Sequence, residues 1–359
     1  MAQIDSSYNI HDVVRFRILD RNPPFSRFLR NNIVDEYANY FSRAPIEESK
    51  LDFIVEIVEH LSARNDTYVL DDVFCLDEGY LYVEDSYKLA KWQLEFMHGN
   101  CPNVLRVKPN ILARFLISGF LIDFLIEFSM ARKGYSFVHA SGVARDSEAS
   151  IFSGRGGSGK STICLGFMQS DDKWQYLGDD FVIVKDGMCY PYVTPLNLFR
   201  YNMSPFLRSC LSVRGKAMMY LKYAAYSATR GYAKFFTRLN PTVFLGRRLG
   251  VLSRLHNVFI LIPQDSNSTS KTQIARIDSG AAIKHMYHNQ VMNSPFFPQC
   301  ILEDSYMFPK SEFSTHYEIY KKNLSMNITH DTDCYMVHVP SNPDWRAVRH
   351  EIESVIDSA

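Results

Sequence analysis

Glu148-Ala-Ser-Ile-Phe-Ser153-Gly154-Arg155-Gly156-Gly157-Ser158-Gly159-Lys160-Ser161 decides the fold of this chain. Glu148 to Ser153 predicts a strand that runs straight into Gly154. Gly154 to Ser161 satisfies G-x-x-x-x-G-K-[ST], and Lys160 to Met168 predicts a helix ended by Ser170-Asp171-Asp172. Glycines between a strand and a helix let the backbone turn its N–H groups inward around phosphate oxygens, and the helix adds its positive end to the same spot. The loop therefore reads as the seat of a nucleoside triphosphate. Lys160 is expected to reach the β and γ phosphates, and the Ser161 hydroxyl to ligate Mg²⁺.

Downstream, 17 positions separate Ser161 from the acidic pair in Leu177-Gly178-Asp179-Asp180, which an apolar run follows. One carboxylate of such a pair can hold a metal, leaving the other to take a proton from an acceptor hydroxyl. Phe181 to Val184 and Met188 to Val193 flank Lys185-Asp186-Gly187, a hairpin signal. Upstream, Phe137 to Val143 predicts a strand paired with the one feeding the loop. It carries His139, whose ring faces either the phosphates or the core, two placements that periodicity does not separate.

The 359 residues suit two or three compact units, and 46% hydrophobic with 22% charged residues excludes a disordered chain. Thirty-nine basic and thirty-nine acidic residues cancel, which removes any overall charge that would favour non-specific nucleic-acid binding. Seven cysteines form no Cys-x-x-Cys pair, and the opening residues carry no secretory pattern, so reduced thiols and a cytoplasmic location are expected. Residues 1–105, with strand-like runs at Val13 to Leu19, Tyr68 to Val73 and Tyr80 to Val83, read as an α+β accessory domain. Residues 106–359 read as the catalytic domain.

Ile111 to Met130 has the length of a membrane span, but Arg114, Asp123 and Glu127 interrupt it. Each charge would cost roughly 2.5–3.5 kcal/mol at mid-bilayer, so a buried amphipathic helix with its charges on the wet side is expected instead. Between Gly187 and Gln264 there is no acid, while eleven Lys and Arg residues occur. This basic segment, with a helical insertion at about 203–250, suits an anionic acceptor or a membrane surface, and nucleic acid ranks last. His285 and His288, at i and i+3 without a third ligand, make a poor metal site.

The order His139-Ala-Ser-Gly, hairpin, Gly154 to Ser161, then Gly178-Asp179-Asp180 resembles the catalytic domain of the HPr kinase/phosphorylase-related kinases, themselves similar in fold to phosphoenolpyruvate carboxykinase. The resemblance covers Ile111 to Arg200. It implies an α/β, P-loop kinase domain with ATP at Gly154 to Thr162, Asp179 on the metal side, Asp180 as base and His139 beside the phosphates. Pro195-Leu-Asn-Leu-Phe-Arg200 resembles the segment after the Asp pair, which implies that Arg200 faces the transferred phosphate. The chain departs from true HPr kinases at Ser212-Val-Arg-Gly215, where a serine stands in place of the glutamate of their Glu-x-Arg-Gly signature. The expected activity is an ATP- and Mg²⁺-dependent kinase acting on a hydroxyl of an anionic small molecule or peptide. The alternative is a nucleotide-gated adaptor or ATPase, and a homo-oligomer is left open.

Overall fold

The computed structural model describes residues 4–21, 33–71, 73–198, 203–228, 237–264, 271–293 and 296–358. It is a mixed α/β chain that divides into two compact units, Met1–Phe137 with Gln290–Met326, and Val138–Asn289 with Asn327–Ala359. The expected boundary at residue 105 falls inside a strand, Asn103–Pro109, and the first unit also takes back a later segment of chain.

In the first unit, β1 (Ile4–Ile10), β2 (Val14–Asp20), β3 (Phe53–Ile57), β4 (Tyr68–Leu70), β5 (Phe74–Asp77), β6 (Tyr80–Tyr87), β7 (Ala90–Met97) and β8 (Asn103–Pro109) form one sheet. Its order is β1-β2-β3-β8-β7-β6-β5-β4. β2 shows the alternation of a half-covered strand, burying Val14, Phe16, Ile18 and Asp20, and Phe16 stacks on Phe53 at 4.8 Å.

The apolar stretch from Ile111 becomes a broken helix: a short 3₁₀ turn at Ala113–Phe115, a π turn at Ile117–Ile122, then α1 (Asp123–Arg132). Every residue from Phe124 to Ala131 is buried, so this is an internal helix rather than an amphipathic one. The expected wet side does not exist for two of its three charges. Arg114 is buried and its Nη1 donates to Asp20 Oδ2 at 2.9 Å. Glu127, also buried, accepts from Gln290 Nε2 at 2.5 Å and lies 3.0 Å from His316 Nε2. Each charge is tolerated because a partner from a distant part of the chain meets it.

The second unit is built on a sheet of β9 (Ser136–Val138), β10 (Ala140–Arg145), β11 (Glu148–Ser153), β12 (Gln175–Gly178), β13 (Val182–Lys185) and β14 (Met188–Tyr190), joined by three later strands. A two-stranded ladder of β15 (Leu196–Leu198) and β16 (Thr237–Leu239) stands apart from it. The later strands are β17 (Ser253–Pro263), β18 (Gln273–Ile277) and β19 (Asp333–Val339). β11, β17 and β19 run parallel, so the chain segments that follow them leave from one edge, where open α/β sheets place ligands.

Four helices matter for the site: α2 (Lys160–Ser170), α3 (Val213–Ala228), α4 (Ser279–Val291) and α5 (Trp345–Ser358). α2 covers the sheet with Ile163, Cys164, Phe167 and Met168, and Phe167 packs on Phe152 and Trp174. Burying each such side chain contributes about 1.5–3 kcal/mol. α5 lies along α2, where Arg349 Cδ would come 3.3 Å from a Cβ at Gly166. Among the described residues no helix is long and apolar enough to cross a membrane.

Candidate active site

The glycine loop takes its shape from contacts that exclude side chains. A Cβ at Gly154 would lie 2.7 Å from both the Leu261 carbonyl oxygen and Ser158 Oγ, so the loop leaves β11 pressed against β17. Gly157 and Gly159 hold φ of +86° and +96°, in the left-handed region that glycine occupies without strain. Ser158 N donates to the Arg155 carbonyl at 3.0 Å, closing the turn, and Gly159 caps α2. Lys160 Nζ donates to the Gly154 carbonyl at 2.6 Å, spanning the loop from its end to its start. Burial pulls the Lys160 pKa below the ordinary lysine value, against the pull of Asp180 and Asp179.

The acidic pair reaches the loop because β12 lies beside β10. Gly178 pairs with Gly142, and a Cβ at Gly178 would meet the Phe181 carbonyl oxygen at 2.3 Å, so only glycine allows the turn into Asp179. Cys164 of α2 uses the gap between the two glycines, its thiol lying 3.5 Å from the Gly142 carbonyl and 3.8 Å from that of Gly178. Asp179 is buried, its Oδ1 lies 2.9 Å from Ser141 Oγ, and the Ser161 hydroxyl is close enough to favour its charged form. Burial and the neighbouring Asp180 push the Asp179 carboxyl up to about 7, while Ser161, Ser141 and Lys160 hold it back in part. Asp180 is half-buried, accepts from Asn197 Nδ2 at 3.2 Å, and is also raised by burial, opposed by Lys160, Asn197 and Arg238. Two adjacent carboxyls in so dry a place favour a proton or a cation between them.

His139 sits at the bend between β9 and β10, half-buried, with Nδ1 out of reach of solvent. Burial, then the Lys160 and Arg155 charges, push its pKa well below the ordinary value, so the ring is neutral near pH 7. The bend is held by Asn289 of α4, whose Nδ2 donates to the His139 carbonyl at 3.1 Å and to Ser153 Oγ at 3.2 Å. Arg200 lies outside the described residues. A different arginine stands at the acids: Arg238 pairs with Asn197 in the β15–β16 ladder, and cross-strand partners share a face.

Ser141, Asn197, Arg238 and Asn289 had no signal of their own in the sequence, although Ser141 lies inside the quoted His-Ala-Ser-Gly run and Asn197 inside the quoted Pro195 to Arg200 run. Strand pairing places Ser141, Asn197 and Arg238, and the packing of α4 places Asn289.

The fit to a phosphate anion can be judged on the loop itself. Ser158 Oγ is buried there without a hydrogen-bond partner among the described residues, and nothing lies within 4 Å of a Cβ built at Gly156 or Gly157. Such a cradle accepts phosphate oxygens. For a divalent cation, the Ser161 hydroxyl with the Asp179 carboxylate is a hard oxygen donor set of the kind Mg²⁺ takes. Among the described residues, at this site or any other, no group of three or more His, Cys, Asp and Glu could hold a metal.

No protein-family model matches the chain, and no curated protein matches it. A solved structure, that of the Hpr(Ser) kinase/phosphatase from Coxiella burnetii, is similar over 62% of this chain and 89% of its own, at 11% identity and a TM-score of 0.30.

Proposed function

We propose that the chain is an ATP- and Mg²⁺-dependent phosphotransferase that moves the γ phosphate to a hydroxyl acceptor. The observation that carries this reading is the closeness of the glycine loop to the acid pair, which the pairing of β10 with both β11 and β12 brings about. Lys160 and the backbone amides of Gly154 to Ser161, with Thr162 in the first turn, hold the triphosphate. Ser161 and Asp179 hold Mg²⁺, which when bound neutralises phosphate charge. Asp180, the more open acid, takes the proton from the acceptor oxygen as that oxygen attacks the γ phosphorus and the bond to the β-bridging oxygen breaks. A neutral His139 keeps one side of the loop free of a further positive charge and offers a hydrogen bond to phosphate. Arg238, with half-buried Lys222 near it, supplies positive charge beside Asp180, which suits an anionic acceptor.

Incubation with γ-labelled ATP and candidate acceptors tests the reading. Asp180→Asn is expected to lower transfer about 10²–10⁴-fold and Lys160→Ala at least as much. Undiminished transfer by Asp180→Asn would remove Asp180 from the base role, and ADP formation without a labelled acceptor would leave an ATPase.

One observation favours the second reading, a nucleotide-gated docking module. α3 turns Val213, Tyr220 and Leu221 outward, with Val213 86% and Leu221 64% exposed, while Lys222 points inward and is half-buried. A helix that shows its apolar side to solvent inside a segment without acids suits an anionic, apolar-tolerant surface. Sedimentation with anionic vesicles, lost at high salt and on Leu221→Glu, would support it.

A further inference from the structure

The glycine loop can grip phosphates, but nothing in it distinguishes a nucleotide from inorganic polyphosphate. The chain has three tryptophans. Trp92 and Trp174 are buried in the cores of their units, whereas Trp345 is half-buried. Its indole lies directly on the loop: a Cβ at Gly159 would fall 2.0 Å from Cη2, 2.3 Å from Cζ3 and 2.9 Å from Cζ2.

The ring is held there by α5. Asp344 caps that helix, its Oδ1 accepting from Arg346 N at 3.0 Å, so Trp345 is its first residue. The helix is fixed along α2 by buried Val348 and Ile352, by Arg349 at Gly166, and by Glu353, which accepts from Trp174 Nε1 at 3.3 Å. Gly159, Thr162 and Gly166 recur at i, i+3 and i+7, one face of α2. α5 meets that face at Gly166 and Trp345 meets it at Gly159, so the indole lies over the first turn of α2, beside the loop, with part of its surface in solvent.

On the reading that the loop binds a triphosphate, we infer that Trp345 is the platform on which the base of the nucleotide stacks. A flat apolar ring fixed by a helix and left partly open beside a phosphate cradle supplies what the backbone amides lack. Aromatic stacking is tolerant of base identity and adds affinity to whatever the phosphates provide.

Titration of the wild-type protein and of Trp345→Leu and Trp345→Phe with Mg·ATP, and separately with Mg·tripolyphosphate, tests the inference. Thermal unfolding of each variant serves as the check on folding. ATP is expected to quench tryptophan emission in the wild type, and tripolyphosphate to bind with little quenching. Trp345→Leu is expected to weaken ATP about fivefold to a hundredfold and to leave tripolyphosphate within twofold, with Trp345→Phe between it and the wild type. Equal losses for the two ligands would overturn the inference and make Trp345 a prop for the loop, as would no loss for either. Should the wild type bind neither ligand, the phosphate cradle itself is refuted, a failure distinct from that of the stacking platform.

Discussion

The Ser141 hydroxyl lies 2.6 Å from the backbone carbonyl oxygen of Asp179 and 2.9 Å from its Oδ1. One side chain on β10 thus fixes both the main chain and the carboxylate of the acid that faces Ser161. Ser141→Ala is expected to cost about 1 kcal/mol of stability and to lower turnover about tenfold or more at saturating ATP, because the carboxylate is then free to turn from the loop. Steady-state kinetics check this. A change confined to the KM for ATP, with turnover intact, would mean that Asp179 does not depend on Ser141 for its position.

Asp179 itself is held at an energetic disadvantage, since burial and Asp180 push its carboxyl up to about 7. Asp179→Asn keeps the shape and removes the charge. Thermal unfolding near pH 8 should therefore show a variant that is more stable, by about 1–2 kcal/mol or a few degrees, and inactive. A less stable variant would show that the charge is already compensated in the folded protein.

The buried pair of Arg114 and Asp20 in the first unit makes the opposite case. Arg114→Met keeps the bulk but removes the buried cation that meets Asp20, and is expected to cost up to about 3–5 kcal/mol, read by denaturant unfolding. A loss below about 1 kcal/mol would mean that Asp20 does not depend on Arg114 for compensation.

His98 gives the first unit a pH dependence. It is buried against Phe96 and Phe313, and burial, then the Arg132 charge, push its pKa down to about 4. Asp304 lies 3.8 Å from Nε2, but that carboxyl is itself raised by burial and is engaged by Ser311 and Ser314, so it does not offset the burial of the ring. The unfolded chain binds a proton at about 6.5 and the folded chain only near 4. Stability is therefore present above pH 6.5 and is lost as the pH falls from 6.5 towards 4, on the order of 3 kcal/mol from this residue. Unfolding between pH 4 and 7 should show that slope in the wild type and a shallower one in His98→Gln; equal slopes would assign it to other groups.

What the sequence disclosed was local. Gly154 to Ser161 carries its own strand, turn and helix signals, and the helix ends at Ser170, where Ser170-Asp171-Asp172 stops it. Asp186-Gly187 marks the hairpin between β13 and β14. What stayed hidden depends on partners far along the chain. Arg114 looked like a wet residue because Asp20 lies 94 positions away, and Glu127 because His316 lies 189 away. The place of β8 in the middle of the first sheet likewise depends on strands far along the chain. At the site, the acid pair was legible by its closeness to Ser161. Asn289, which is 150 positions from His139, and Trp345, which meets Gly159 only through the packing of α5 on α2, had no local pattern to announce them.

Direct binding of ATP by calorimetry, with and without Mg²⁺, in the wild type, Lys160→Ala and Asp179→Asn tests the central claim most squarely. The account predicts Mg²⁺-dependent binding by the wild type, at least tenfold weaker binding by Lys160→Ala, and binding by Asp179→Asn that no longer responds to Mg²⁺. Equal affinities in all three proteins, or affinities indifferent to Mg²⁺ in the wild type, would contradict it.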